Sequence, residues 1–222
     1  TYDRTYIIDL TGRTPEKIAA AMPKDGRRGV KRAERVAKEA GVVIKDETGM
    51  DRATFDEVYR VLEETSERDG FTPHSADVYW TMLTTLGEQA RMYVARLDGR
   101  PVAWVLVVVN GISSVAYYGA STTADRATRA AEATDWYAAC DLAAKGYKGY
   151  DFMGAGSTRV PELYSVGMYK KRFAQHPTEV DGAWDVPVQR PVFEALVAAK
   201  KAKHLVRKAT VVASKASEAI KR

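Results

Sequence analysis

Few residues in this sequence have a type and spacing that could support catalysis. The three histidines and the single Cys140 show neither the arrangement of a nucleophile–base triad nor the spacing of metal ligands. Asp151 stands between large aromatic residues in the run Tyr150–Gly154, where an unpaired carboxylate is costly. It could orient a lysine, accept a proton from an amine, or cap neighbouring backbone amides. We therefore predict no metal site and count Asp151 as a candidate catalytic residue.

Lysine and arginine are concentrated in two segments of the chain. Residues 190–222 hold nine of them against two glutamates, and residues 24–38 hold seven. Two basic helices could bind a polyanion such as tRNA, attract an anionic membrane surface, or form solvated helix faces. The candidates for contacts with tRNA phosphates are Arg27, Arg28, Lys31, Lys200, Arg207 and Lys208.

The length and composition are those of a folded α/β or α+β protein. The chain has 222 residues, of which 45% are hydrophobic and 28% charged, enough for one ordinary domain or two small ones. Its longest apolar run, Val102–Val109, is far shorter than the roughly 20 residues that a membrane-spanning helix needs. A single cysteine excludes an internal disulfide and favours a reducing, cytoplasmic setting.

Periodicity and turn residues predict an alternation of helices and strands. Asp98-Gly99 and Asn110-Gly111 separate three β-rich runs and predict antiparallel hairpins. Asp51 and Gly70 are expected to cap one amphipathic helix, and Gly26 is expected to interrupt the helical region before a basic helix. The predicted strands are 5–10, 42–45, 92–97, 102–109, 114–118, 149–153 and 179–186. The predicted helices are one opening at residue 14, then 27–40, 51–70, 75–86, 125–145, 163–173 and the chain from 192 onward.

The order of these elements over residues 42–188 resembles the GNAT acyltransferase fold. We therefore expect an α+β (α/β) fold with a mixed, largely antiparallel central sheet flanked by helices, followed by a long basic C-terminal helix. GNAT enzymes that use acetyl-CoA carry a glycine-rich turn before the long helix, where backbone amides approach the pyrophosphate. Residues 121–130 contain no glycine and include Asp125. This disfavours acetyl-CoA as the donor, although Arg126 and Arg129 could bind phosphate in another way.

An ordered set of short motifs resembles the Fem family, the FemX-, FemA- and MurM-like aminoacyl-tRNA-dependent peptidyltransferases. The resemblance covers about residues 5–190 and rests on the order of the motifs, since no single one is specific. The motifs are Arg27-Arg28-Gly-Val-Lys31-Arg-Ala33, Glu67-Arg68-Asp69-Gly70-Phe71, Arg100-Pro-Val-Ala103, Tyr118-Gly-Ala-Ser121, Tyr150-Asp151-Phe152-Met-Gly154, Tyr169-Lys170-Lys171-Arg172-Phe173 and Gly182-Ala-Trp184-Asp185. Fem proteins are similar to two fused GNAT-like domains. The resemblance thus implies the remnant of a first domain in residues 1–41, a transferase domain in 42–189 and a basic helix in 190–222.

The Fem resemblance implies transfer of an aminoacyl group from tRNA to an amine of a peptidoglycan stem peptide, on a UDP- or lipid-linked precursor. Aminoacyl-tRNA would be a co-substrate, with no further cofactor and no metal. Such an enzyme would act in the cytoplasm, or at the inner membrane surface if its acceptor is lipid-linked. The alternatives are an N-acyltransferase that uses acyl-CoA, tRNA-dependent amide synthesis on a small molecule, and a non-catalytic module that binds tRNA or membrane.

The same resemblance implies roles for residues near the C-terminal end of the transferase domain. Lys170 aligns with the family lysine implicated in stabilising the developing oxyanion or the tRNA end, and Tyr169 is the aromatic residue before it. Without the resemblance, Lys170 and Lys171 would be interpreted as exposed helix charges. Asp151 is the candidate proton acceptor, and Tyr118 matches a family tyrosine near the muropeptide site.

Three further residues are implied as substrate-binding. His74 stands where FemX-type enzymes carry a diphosphate-binding arginine, and Tyr79 could substitute for a nearby tyrosine. An imidazole is a weaker diphosphate ligand than a guanidinium, which leaves a lipid-linked or small-molecule acceptor open. Arg68 could contact ligand, but a salt bridge that holds its own loop is the preferred interpretation.

Overall fold

A seven-stranded sheet dominates the structure, a computed structural model that describes residues 2–181, 186–200 and 202. The strands are β1 (Arg4–Asp9), β2 (Val43–Asp46), β3 (Ala90–Leu97), β4 (Arg100–Asn110), β5 (Ser113–Ser121), β6 (Gly149–Gly154) and β7 (Thr178–Glu179). The helices are α1 (Pro15–Ala21), α2 (Lys24–Glu39), α3 (Arg52–Asp69), α4 (Ala76–Leu86), α5 (Ala130–Ala144) and α6 (Tyr164–Lys170). Residues 190–200 form a further helix in a second unit that follows residue 182.

The sheet is mixed and largely antiparallel, which confirms the expected fold class. Its strand order is β2-β3-β4-β5-β6-β1-β7. The β5–β6 pair is parallel, and the other neighbouring strands are antiparallel. The predicted hairpins are confirmed: at the β3–β4 turn both Asp98 (φ 51°) and Gly99 (φ 79°) are left-handed, as a two-residue hairpin turn requires.

Helices cover both faces of the sheet, and the inner strand β4 is buried almost throughout. On one face α3 packs through Phe55 against Met92 and Trp104, whose indole Nε1 donates to the Val58 carbonyl at 2.9 Å. On the other face α5 packs against alternate residues of the same strands, Tyr93 among them. No helix in the described ranges is long and apolar enough to cross a membrane.

Gly26 does not interrupt the helical region, contrary to the prediction. The break lies at Met22 and Pro23, which are both extended, and α2 begins at Lys24. Gly26 lies in the first turn of α2, where a Cβ atom would stand 1.6 Å from the carbonyl oxygen of Arg172. This glycine therefore permits a close approach between α2 and the segment after α6.

Other boundaries differ where long-range contacts decide them. The long helix predicted from Asp125 begins at Ala130, after a 3-10 turn over Arg126–Thr128. The extended segment predicted for residues 179–186 contributes β7, and residues 182–185 lie outside the described residues. The domain division at residues 41 and 189 stays a prediction, and β1 hydrogen-bonds to β6 within the same sheet.

Candidate active site

The sheet opens between its two parallel strands. β5 and β6 pair from Ser113–Gly149 to Val115–Asp151, and their remaining residues extend beyond this pairing. The pairing of β5 with β4 also shifts register there, because Tyr117 is an extra residue between Ala116 and Tyr118. Ligands of open α/β sheets bind beyond the carboxyl ends of parallel strands, where neighbouring strands separate. Asp151 therefore lies at the edge of the best-placed opening for a substrate.

Asp151 shapes the backbone at the end of β6. Its Oδ1 atom accepts hydrogen bonds from the Met153 amide, at 2.6 Å, and from the Thr5 hydroxyl. Met153 is left-handed with φ 59°, a conformation uncommon for a residue other than glycine. The structure thus shows Asp151 capping a backbone amide, one of the three roles that the sequence left open. No ion pair links Asp151 to a cation of the described residues.

Lys170 lies on α6 and points back to the end of β6. Its Nζ donates to the carbonyl of Gly154 at 2.7 Å and to that of Met153 at 3.3 Å. Burial lowers the pKa of Lys170 from 10.5 to about 8, and the negative charges of Asp135 and Asp151 oppose that shift. Lys171, by contrast, is exposed. Lys170 is therefore a half-buried cation beside Asp151 and not an ordinary exposed helix charge.

Asp135, on α5, belongs to this site although the sequence analysis did not select it. Its two carboxylate oxygens accept hydrogen bonds from the hydroxyls of Tyr150, at 2.8 Å, and Tyr169, at 2.6 Å. Burial raises the pKa of Asp135 to about 6, against the opposing effect of those hydrogen bonds and of Lys170. The sequence offered only a weak signal: Asp135 precedes Trp136 in an alanine-rich helix, where a carboxylate is costly if it is buried without partners.

Three of the predicted substrate-binding residues, Tyr118, Tyr79 and His74, have rings that lie close together. Tyr118 meets Tyr79 edge to face at 4.8 Å, and the ring of Tyr79 lies 6.1 Å from that of His74. Tyr79 is buried, so it supports Tyr118 from behind. Tyr117, missed by the sequence analysis, is half-exposed and lies against Tyr118 at 4.8 Å.

Tyr2 lies near both Tyr117 and the end of β6. Burial and the nearby charges of Asp151 and Tyr117 raise the pKa of its hydroxyl. Its ring packs directly on Gly154, since a Cβ at that glycine would stand 2.9 Å from the ring. Tyr2 was not selected either, because nothing local in the sequence indicates this contact.

Arg68 holds the end of α3 against the end of β5. It makes two hydrogen bonds to the Asp69 carboxylate, at 2.8 and 2.9 Å, and donates to the Ser121 carbonyl at 2.8 Å. The structure thus contains the loop-holding salt bridge that was the preferred interpretation.

The turn before α5 is filled by the protein's own side chains. Asp125 accepts two hydrogen bonds from Arg100, at 2.9 and 3.1 Å, and one from the Thr122 hydroxyl at 2.7 Å. In the first turn of α5, Glu132 is buried beside α2, where a Cβ at Gly29 would stand 2.8 Å from its carboxylate. Asp125 and the neighbouring helix α2 therefore fill the turn before α5, which is where the GNAT resemblance implies a CoA pyrophosphate.

The first turn of the basic helix α2 lies close to the segment that follows Lys170. All seven of its lysines and arginines are exposed, and of these only Arg35 forms an ion pair within the described residues, with Glu39. The first turn touches Arg172, two residues beyond Lys170. Lys200 lies in the helix of the second unit, whereas Arg207 and Lys208 lie outside the described residues.

Comparison with protein families agrees with this architecture. Residues 24–171, more than half of the chain, match the model of the acetyltransferase (GNAT) domain. The chain belongs to the GNAT family. The acyltransferase activity expected from the sequence agrees with this family, and the matched residues include Lys170 and Asp151. No curated protein matches it significantly.

Solved structures show the same fold. A crystal structure of FemX is 16% identical with a TM-score of 0.72, covering 86% of this chain and 63% of that one. The C-terminal domain of a putative lysylphosphatidylglycerol synthetase from Agrobacterium fabrum is 13% identical with a TM-score of 0.58, covering 77% and 56%. L-PGS from Bacillus licheniformis is 13% identical with a TM-score of 0.54 and has the same coverage. The GNAT chain thus spans less than two thirds of each of these proteins, and the likeness to a Fem protein is confirmed at the level of fold.

Proposed function

We propose that this GNAT protein transfers an aminoacyl group from tRNA to an amine of a peptidoglycan precursor. The position of α2 carries the proposal. That one helix packs over the turn where CoA phosphates would bind, and it brings exposed cations up to the Lys170 segment. A polyanionic donor matches both features better than CoA does. The structural likeness to FemX gives further support.

The basic residues have a direct role in this proposal. Arg27, Arg28 and Lys31 contact phosphates of the tRNA, and Lys200, Arg207 and Lys208 make further phosphate contacts of their own. Such contacts give affinity that falls with salt and carry little sequence preference. They place the charged 3′ end of the tRNA near the opening between β5 and β6.

The reaction is aminolysis of an ester. The acceptor amine attacks the ester carbonyl, the new C–N bond forms, and the C–O bond to the terminal ribose breaks. The Lys170 ammonium stabilises the negative charge that develops on the carbonyl oxygen. Asp151 receives the proton that the amine loses and passes it to the departing ribose oxygen, so that the carboxylate is regenerated. The chemistry needs no cofactor beyond aminoacyl-tRNA and no metal.

The acceptor is bound by the aromatic group and its neighbours. Tyr118 and Tyr169 line the acceptor or the tRNA end, and the exposed His74, supported by the buried Tyr79, would meet a precursor diphosphate. Because an imidazole binds diphosphate weakly, a lipid-linked precursor fits at least as well as a UDP-linked one. The protein would then act in the cytoplasm at the inner membrane surface, and its basic helices would also meet anionic lipid.

The test combines tRNA binding with transfer. The purified protein is titrated with charged tRNA across a salt series, and transfer of labelled amino acid to UDP-linked and lipid-linked muropeptides is then measured. We expect salt-dependent binding, and a loss of transfer of about 10²–10³-fold in Lys170→Ala. Lys171→Ala is the matched control, because its exposed ammonium lies on the adjacent residue and should leave transfer unchanged.

Other outcomes favour the alternatives. Absence of tRNA binding at low salt, together with a thermal shift on adding acyl-CoA, would contradict the proposal and favour an acyl-CoA-dependent N-acyltransferase. Transfer to a small amine but not to muropeptides would support aminoacyl-tRNA as the donor and contradict a peptidoglycan precursor as the acceptor. Binding that Lys170→Ala leaves intact, with no transfer to any acceptor, would indicate a non-catalytic tRNA-binding module.

A further inference from the structure

Asp135 lies where the two elements of the Lys170 site meet. Tyr150 of β6 donates to one of its oxygens and Tyr169 of α6 donates to the other, at 2.8 and 2.6 Å. Tyr150 is fully buried, so its hydroxyl has few other partners. Among the described residues no cation forms an ion pair with Asp135. Two hydroxyl donors favour the anionic form of a buried carboxyl group and do not neutralise its charge.

We propose that Asp135 is a positioning residue: its carboxylate, held by Tyr150 and Tyr169, keeps the half-buried Lys170 a cation and fixes α6 against the end of β6. This inference deepens the proposed function, on which the catalytic meaning of the Lys170 charge rests. The coupling between the two side chains can be tested without any substrate.

The physical reason is the surroundings of Lys170. Its Nζ contacts two neutral carbonyls, of Met153 and Gly154, and no carboxylate of the described residues lies within ion-pair distance. Burial alone would favour the neutral amine, which cannot stabilise an oxyanion. Asp135 is the strongest of the nearby charges that favour the ammonium, and Asp151 is the other. Removing the charge of Asp135 should therefore remove protons from Lys170 near neutral pH.

Other ionisable groups face the same pair. Glu132, one turn before Asp135 on α5, raises the pKa of Asp135, and Lys170 lowers it. Arg172 lies 3.5 Å from Glu132 and 5.4 Å from the Tyr169 ring. Tyr93 of β3 lies near Tyr150. The opposite charges of Glu132 and Arg172 lie close together and largely offset each other. The charges that act on Lys170 are therefore mainly those of Asp135 and Asp151.

The experiment is a direct titration of Lys170 by NMR in protein with ¹³C-labelled lysine, its signal assigned with Lys170→Met. Asp135→Asn keeps the size of the side chain and removes the charge. We expect the titration midpoint of Lys170 to fall by at least about half a pH unit, and the alkaline limb of aminoacyl transfer to move with it. Asp141→Asn is the control, since Asp141 also lies on α5 and accepts a hydrogen bond from a tyrosine, Tyr93, at 2.7 Å.

The wild-type protein gives a second measurement that does not depend on the variant folding. As Asp135 loses its proton near pH 6, the Lys170 signal should move before its main step near pH 8. A single step in the wild type, or an unchanged midpoint in folded Asp135→Asn, would overturn the inference, as would an equal shift in Asp141→Asn. If the NMR midpoint falls but no transfer is found, the coupling stands and the proposed function fails.

Discussion

Gly26 is the point at which α2 touches the segment after Lys170, and replacing it with alanine tests that contact. The added Cβ would stand 1.6 Å from the Arg172 carbonyl oxygen and 2.7 Å from its carbon. An ordinary contact needs about 3.4 Å, so the two backbones would have to separate by nearly 2 Å. Both partners are backbone, and neither can turn aside as a side chain does. Gly26→Ala should therefore destabilise the protein.

The magnitude follows from two opposing effects. Alanine improves helix propensity by up to about 1 kcal/mol over glycine, and less in a first turn. Overpacking in a well-packed contact costs about 1–3 kcal/mol, and a backbone clash lies at the upper end. We expect a net loss of about 1–2 kcal/mol in the free energy of unfolding. For a chain of this size each kcal/mol lowers Tm by about 2–4 °C.

Gly29, three residues later on the same helix, is the matched control. A Cβ there meets the far end of the flexible Glu132 side chain, at 2.8 Å, and no backbone atom within 4 Å. The carboxylate can move away, so Gly29→Ala keeps most of the gain in helix propensity. It should leave stability unchanged or raise it by up to about 1 kcal/mol.

Urea unfolding followed by circular dichroism measures both variants, and tRNA binding reports whether α2 has moved. The two substitutions are expected to differ in sign, with weaker tRNA binding in Gly26→Ala only. If Gly26→Ala proves as stable as Gly29→Ala, or if both lose stability equally, the close approach of α2 to the Lys170 segment is wrong.

Two further predictions concern charge. Folding lowers the pKa of Lys170 from 10.5 to about 8, so between these values the unfolded chain binds more protons and the free energy of unfolding rises with pH. Relative to Lys170→Met, the wild type should gain up to about 3 kcal/mol between pH 8 and 10.5, and a constant difference in urea midpoints would contradict this. Replacing Arg27 and Arg28 together by alanine should reduce the slope of log affinity for tRNA against log salt by about 2. Arg35→Ala, whose guanidinium is already paired, should change it less, and equal slopes for all variants would exclude phosphate contacts at this helix.

Local signals in the sequence were enough for most of the elements. Asp51 accepts a hydrogen bond from the Thr54 amide at 2.8 Å and Gly70 is left-handed at φ 73°, so α3 begins and ends where its cap residues predict. The turn dipeptides likewise predicted the hairpins, because caps and turns depend only on residues a few positions apart. The start of α5 escaped prediction because Asp125 is held by Arg100, 25 residues away.

Some residues of the candidate site were predicted from the sequence, and others were found only in the structure. The ordered motifs selected Lys170 and Asp151, but no periodicity distinguishes Lys170 from its exposed neighbour. That difference arises only when α6 packs against the end of β6 and the Gly154 carbonyl comes within 2.7 Å of Nζ. Asp135 and Tyr2 escaped notice because their partners are distant in the chain.

The sequence by itself thus determined the elements, the GNAT-like order and the basic character of α2, since caps, turns and hydrophobic periods act over one or two turns of chain. Tertiary structure alone decided which charges are buried, which carboxylate faces Lys170 and why Gly26 cannot carry a side chain. Burial and ion pairing depend on residues from separate elements, and a linear pattern does not encode their distances.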